Sequence, residues 1–248
     1  MTAEDRAPTV LEVGRAAGGQ HRTETLRPGT FLTPRPLHDG SGLARFALVG
    51  NRAGLLAGDE LRLRVRAEAG VCLELVEPAG LLAYDHRGGR SGWQASVDIG
   101  DDGLLVWAGA PFVAATGADT LRRLDVRLGR GARMLWRESL VLGRSGERGG
   151  SLRSVTRVRC QGQDVLVEDL DLRDADEREL PGVLGDARVV STVTALGWVP
   201  RDLGHSYATE LARPGAVVRL IGGEAHVLER ELDAVWEAWL PDARQRTD

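Results

Sequence analysis

Three acidic residues stand where the alternation of strand side chains predicts an apolar environment. Glu138 has the same parity as the apolar residues at positions 134, 136, 140 and 142. Glu168 has the parity of the leucines at 166, 170 and 172, and Asp59 that of the apolar residues at 61, 63 and 65. Because successive side chains of a strand point to opposite faces, each segment directs one carboxylate toward an apolar layer.

Burial of an ionised carboxylate costs several kcal/mol unless the charge is paired. Two interpretations follow for Asp59, Glu138 and Glu168. Each acid pairs with an arginine or with backbone amides at a turn, or the three acids line an internal path for a cation. Oxygen ligands suit a path, because they hold nickel-like ions more weakly than imidazole or thiolate does.

An acidic segment follows Glu168 and extends to residue 179. It contains five further acidic residues between 169 and 177 and only two arginines, Arg173 and Arg178. It is interpreted as a solvated acidic loop, with a weak cation-collecting or partner-docking surface as the alternative.

The basic residues exclude several kinds of chemistry. All 32 are arginine, so the lysines of phosphate-binding loops, Schiff bases and Ser-Lys dyads are absent. A net charge of −4 and a pI near 5.8 argue against general nucleic-acid binding. The five histidines are scattered, and two cysteines are too few for a disulfide framework.

Length and composition are those of a globular chain. The 248 residues are 42% hydrophobic and 27% charged, which predicts one domain over residues 1–248. No run of 18 apolar residues predicts a transmembrane helix, and the first 15 residues lack a signal-type apolar core. We therefore expect a cytoplasmic protein without a tightly bound cofactor.

Short alternating stretches with turns every 8 to 12 residues predict a mainly β fold. Residues 1–25 are expected to be flexible or peripheral. Residues 224–241 have a 3.6-residue apolar period, which predicts a C-terminal amphipathic helix stopped by Pro241. A second, short helix is predicted at 206–212. Trp236 and Trp239 lie in the C-terminal helix. We expect this helix to pack on a sheet, and a second, compatible interpretation is that part of it, these tryptophans included, docks a partner.

Four stretches together resemble one known family in their order and spacing. Residues 53–61 (AGLLAGDEL) resemble the "GG-x-x-GGD" strand entry of the UreD (or UreH) urease accessory proteins. Residues 35–38 (RPLH), 136–144 (WRESLVLGR) and 165–170 (VLVEDL) are similar to that family's "RP-[LF]-Y", acid-then-"LGR" and "LLVER-L" elements. Ala53 and Ala57 replace glycines that are usual in the family.

The resemblance implies an irregular β-helix-like stack of strands and a role without catalysis. It implies binding to apo-urease and to the accessory proteins UreF and UreG, with nickel passing in transit to the urease active site. Asp59, Glu138 and Glu168 match acidic positions along the family's nickel route.

Two other classes of function remain as alternatives. A purely structural adaptor would hold UreF against urease, with its inward acids bound to arginines. An all-β glycosidase needs two catalytic carboxylates in a cleft lined with aromatic residues, but aromatic residues make up only 4% of the chain.

Overall fold

The computed structural model describes residues 7–37 and 43–245. Elements are numbered in chain order, and the described residues form these: β1 (Thr9–Arg15), β2 (His21–Arg27), β3 (Leu32–Pro36), β4 (Ala44–Gly50), β5 (Glu60–Ala67), β6 (Cys72–Val76), β7 (Leu81–Ala83), β8 (Ser91–Ile99), β9 (Leu104–Ala108), β10 (Phe112–Ala114), β11 (Asp119–Leu128), β12 (Arg133–Leu142), β13 (Ser151–Cys160), β14 (Gln163–Leu172), α1 (Ala175–Arg178), β15 (Val189–Leu196), β16 (Ala208–Glu210), β17 (Gly215–Gly222) and α2 (Ala225–Arg244).

The strands form two sheets stacked as a β-solenoid. The seven-stranded sheet has the order β14-β13-β11-β8-β5-β1-β2, and the ten-stranded sheet contains β16-β17-β15-β12-β9-β6-β4-β3 with β7 and β10 beside them. From β4 to β13 the chain passes repeatedly between the two sheets. Strands β5, β8, β11 and β13 therefore pair in parallel in one sheet, and β4, β6, β9 and β12 in the other. The predicted fold, a mainly β protein with a β-helix-like stack of strands, is confirmed.

Two apolar layers hold these sheets and α2 together. The first lies between the sheets and includes Leu63, Trp107 and Met134. The second lies between the ten-stranded sheet and α2, where Leu135 and Val193 meet Leu232. Along β12, Met134, Trp136 and Leu140 face the first layer while Leu135 and Val141 face the second, as strand alternation requires.

Two of the sequence expectations about elements are wrong. Residues 9–15 are not peripheral, because they form β1, whose Leu11 and Val13 are fully buried. No helix forms at 206–212: this segment contains a turn and β16, which pairs with β17. The second, short helix is α1, in the acidic segment instead, where Asp174 accepts hydrogen bonds from the amides of Asp176 and Glu177.

The C-terminal helix is present but does not end at Pro241. Helix α2 continues to Arg244, and the Gln245 amide donates to the Pro241 carbonyl at 3.0 Å. Proline removes one donor from a helix. The turn after Pro241 buries Ala243 completely against the sheet, and this burial favours continuation of the helix.

Candidate functional site

Glu138 lies between the sheets, as its parity predicts. It extends from β12 toward the seven-stranded sheet and accepts a hydrogen bond from Arg122 Nη1 of β11 at 2.8 Å. The two side chains are only 13% and 8% exposed. The Arg122 guanidinium also lies 4.4 Å from the Trp93 ring centre and 5.1 Å from that of Phe112. This ion pair therefore joins the two sheets in a largely apolar setting.

Glu168 makes a second bridge between the sheets, in the opposite sense. It extends from β14 of the seven-stranded sheet, and its Oε1 lies 2.6 Å from Arg219 Nη1 of β17 in the ten-stranded sheet. Arg219 also donates to the Thr192 hydroxyl at 3.3 Å. With 27% of its side chain exposed, Glu168 is less buried than Glu138.

Asp59 is buried at the turn that leads into β5, with 7% of its surface exposed. Its Oδ2 accepts from the Leu56 amide at 2.8 Å, and its own amide donates back to the Leu56 carbonyl at 3.1 Å. Its Oδ1 lies 3.9 Å from Arg52 Nη1. Asp59 therefore closes a turn and also faces the guanidinium of Arg52.

These three carboxylates do not form one metal centre. Asp59 precedes β5 and Glu168 lies on β14, four strand positions apart in the same sheet, which is roughly 19 Å at the usual strand spacing. Within residues 7–37 and 43–245, no group of three or more His, Cys, Asp and Glu side chains is placed to hold a metal ion. Any cation would meet these acids one at a time.

A cavity of about 310 Å³ lies between the sheets near β4, β5 and β8. Arg122 and Arg52 line it together with Glu77, a carboxylate that follows β6. Part of the Glu77 side chain borders the cavity, while its carboxylate is surrounded by protein and accepts from Trp107 Nε1 at 3.0 Å and from the Ala110 amide at 3.1 Å. Glu77 is thus a fourth interior carboxylate, and the cavity it lines is also lined by Arg122 of the Arg122–Glu138 pair.

Sequence reasoning missed Glu77, although the signal was available. Glu77 has the same parity as the buried Leu73 and Leu75. Because it lies two positions after Leu75, the alternation of the strand directs its side chain inward as well. Burial raises its pKa, and hydrogen bonds from Ala110 and Trp107 and the charge of Arg122 oppose that rise.

Replacing Glu77 with glutamine is expected to change how stability depends on pH. Because its pKa is raised in the folded state, Glu77 contributes stability that is complete below the pKa of an unfolded glutamate, about 4.3, and is lost as the pH rises through the folded-state pKa. In urea unfolding between about pH 4 and pH 8, the wild type should lose stability relative to Glu77→Gln. The exposed Glu210→Gln variant is the control, and a pH-independent difference for Glu77→Gln would contradict this account.

The acidic segment after Glu168 is largely neutralised by arginines. Asp169 pairs with Arg153, Asp171 with Arg173, and Asp176 with Arg148. The Arg173 hydrogen bond lowers the pKa of Asp171 to about 2. With these carboxylates already paired, the segment offers a weak basis for collecting cations.

The two tryptophans of α2 have different environments. Trp239 is fully buried, and its Nε1 donates to the Asp202 carbonyl at 3.0 Å, so it presents no surface to a partner in this fold. Its assignment to a docking surface is therefore wrong for the folded chain. Trp236 is half-buried, and the Arg137 guanidinium lies 5.7 Å from its ring centre. Docking through Trp236 stays a prediction.

Helix α2 is the longest helix of the described residues, and none of their helices is long and apolar enough to cross a membrane. His38, the last residue of the "RPLH" element, lies outside the described residues.

Two stacked sheets, a C-terminal helix and paired interior acids together define a β-solenoid protein. Residues 6–248 match the family described as UreD urease accessory protein, and the chain belongs to that family. Urease accessory protein UreD 1 of Streptomyces griseus subsp. griseus is 57% identical over 237 residues, which cover 96% of this chain and 93% of the relative. The UreD of Parafrankia sp. is 30% identical, covering 93% and 87%, and that of Frankia alni is 34% identical, covering 76% and 72%. The resemblance of the four sequence stretches is thereby confirmed.

Proposed function

We propose that this protein acts in the cytoplasm as a urease maturation factor that binds apo-urease together with UreF and UreG and conducts nickel toward the urease active site. It catalyses no reaction itself, and nickel is its cargo rather than a resident cofactor. Membership of a family of urease accessory proteins supports the role in urease maturation. The identity of the partners and the transfer of nickel are the parts that need testing.

The charged cavity between the sheets is the observation that carries the nickel route. Glu77 and Arg122 line it, and Glu138 accepts a hydrogen bond from Arg122 Nη1 at 2.8 Å. That guanidinium occupies the position beside Glu138 that a cation would take. A nickel ion that reached Glu138 would have to displace this guanidinium from the carboxylate, whose oxygens would in turn release the ion readily.

A structural adaptor is the second candidate, and a specific observation favours it. Asp59, Glu138 and Glu168 each face an arginine, and the pairs of Glu138 and Glu168 join the two sheets. In this candidate the acids stabilise the stack, and partners pass nickel without using them.

Glu138→Gln separates the two candidates, because glutamine keeps the shape and a hydrogen bond to Arg122 while losing the charge. For the conducting route we expect activation of apo-urease to fall about tenfold at limiting nickel and to recover at saturating nickel, as when one metal-positioning group is lost. Asp59→Asn and Glu168→Gln should act in the same direction.

The control is Glu210→Gln, which changes an exposed acid at the edge strand β16. Each variant is first shown to co-purify with UreF and apo-urease as the wild type does. Full activation by Glu138→Gln at limiting nickel would exclude the route at this position and leave the adaptor. Failure of the wild type to co-purify or to activate would reject both candidates.

A further inference from the structure

The outer surface of the seven-stranded sheet carries four arginines that are here called the arginine face: Arg62, Arg64 and Arg66 on β5 and Arg123 on β11. The three on β5 alternate with buried apolar residues and are exposed, as is Arg123. Strand β8 lies between β5 and β11, and its Gln94 is directly opposite both Arg62 and Arg123.

The side chains of the arginine face make no hydrogen bond or ion pair with any residue that the structure describes. Other arginines of the same outer surface behave differently. Arg153 and Arg157 each make two hydrogen bonds to an aspartate of β14. Asp98 is opposite Arg66 in register, yet it bonds to Arg127 on its other side at 2.5 Å. The unpaired arginines are therefore a local feature of β5 and β11.

Such an arrangement costs stability in the isolated chain. Arg62 and Arg123 face one another across Gln94, which supplies no negative charge between them, and like charges on one face of a sheet repel. Arg64 differs, because it faces Asp125 across Ser96. Arg62 and Arg123 are two strands apart, roughly 10 Å, which is about one Debye length at 0.1 M salt. The repulsion is thus only partly screened, and it lies on a chain whose net charge is −4.

The arginine face is also uncovered. Helix α2 packs on the opposite side of the molecule, against β9, β12, β15 and β17 of the ten-stranded sheet. No described segment crosses the outer surface of β5, β8 and β11. A flat sheet surface with free guanidinium groups is left open to solvent, in a geometry suited to bidentate binding of carboxylates.

We propose that the arginine face docks an acidic surface of a partner protein in the urease maturation complex. Glu12, opposite Arg66 on β1, shares this surface with the arginines, as do Glu60, Asp98 and Asp125, so its charge is mixed. A continuous phosphate backbone would be repelled by these acids, whereas separate carboxylates on a protein can meet the arginines one by one. The inference rests on the proposed function only for the choice of partner complex.

Binding to apo-urease carrying UreF and UreG tests this inference. Arg62→Glu/Arg123→Glu reverses two charges of the face, and Arg35→Glu/Arg213→Glu makes the same charge change at two exposed, unpaired arginines elsewhere. We expect the first variant to bind at least about tenfold more weakly and the control to change less than about twofold, since opposed like charges at an interface are costly. Wild-type affinity should also fall as salt is raised.

The milder Arg62→Gln/Arg123→Gln variant should keep the fold, which thermal melting checks, and should reduce the salt dependence of binding, which affinity measurements at several salt concentrations check. Equal weakening by the face and control variants would overturn the docking surface while leaving the proposed function intact. Absence of wild-type binding would reject the proposed function itself. Binding of a duplex DNA by the wild type that is lost in Arg62→Gln/Arg123→Gln would assign the face to nucleic acid and overturn the proposal.

Discussion

Truncation of Trp239 to alanine is expected to lower the free energy of unfolding by about 3–5 kcal/mol, the usual cost of removing a buried aromatic side chain. Trp239 is fully buried between α2 and the ten-stranded sheet, and its indole Nε1 also donates a hydrogen bond to the Asp202 carbonyl. Both the apolar contact and the hydrogen bond would be lost. Urea or thermal unfolding of the purified chain measures the change.

Two further variants separate packing from docking. Trp239→Phe keeps most of the ring but not the indole donor, so it should cost less than alanine while leaving the Asp202 carbonyl without this donor. Trp236→Ala should be much milder, because Trp236 is half-buried. If Trp236→Ala weakened binding to UreF without loss of stability, the docking prediction for α2 would hold at that residue. An unchanged unfolding free energy in Trp239→Ala would show that α2 does not pack on the sheet.

Glu138→Ala is expected to destabilise the fold by about 3–5 kcal/mol, because it leaves a buried guanidinium without its carboxylate. Arg122 is only 8% exposed; its Nη1 donates to Glu138, and its Nε has no hydrogen-bond partner among the described residues. The aromatic rings of Trp93 and Phe112 beside it give much less compensation than a carboxylate. Chemical unfolding with far-UV circular dichroism measures the effect.

A double-mutant cycle shows whether the pair or the single charge matters. Arg122→Met/Glu138→Met removes both charges and fills the space with apolar groups, so it should be less destabilised than Arg122→Met or Glu138→Met alone. Additive losses would mean that the two side chains do not interact in solution. A stable double variant would also allow urease activation to be measured without the acid and without a folding defect.

The same ion pair thus bears on both candidate functions. In the adaptor, Arg122 and Glu138 hold the sheets together, and stability and activation fall in parallel. In the conducting scaffold, Arg122 holds Glu138 in place through their hydrogen bond until nickel arrives. The isosteric Glu138→Gln and the truncating Glu138→Ala therefore answer different questions, one about charge and one about folding.

Strand alternation predicted which side chains of the strands point into the interior. A period of two assigns a residue to a face, and it correctly placed the interior sides of β5, β12 and β14 and the inward direction of Asp59, Glu138 and Glu168. The same rule, applied to Glu77 and to Arg122 two positions before Leu124, would have found both. These are errors of omission, since the information was local.

Local sequence patterns were enough to predict the β-rich fold class, the C-terminal helix, the direction of the three acids and, through four ordered motifs, the family. The stacking of the sheets instead sets the pairing of Glu138 with Arg122 and of Glu168 with Arg219, and the packing of α2 sets the complete burial of Trp239 and the continuation of the helix past Pro241. Periodicity tells which way a side chain points. It carries no information about which residue, dozens of positions away, lies opposite, because that depends on how the strands stack.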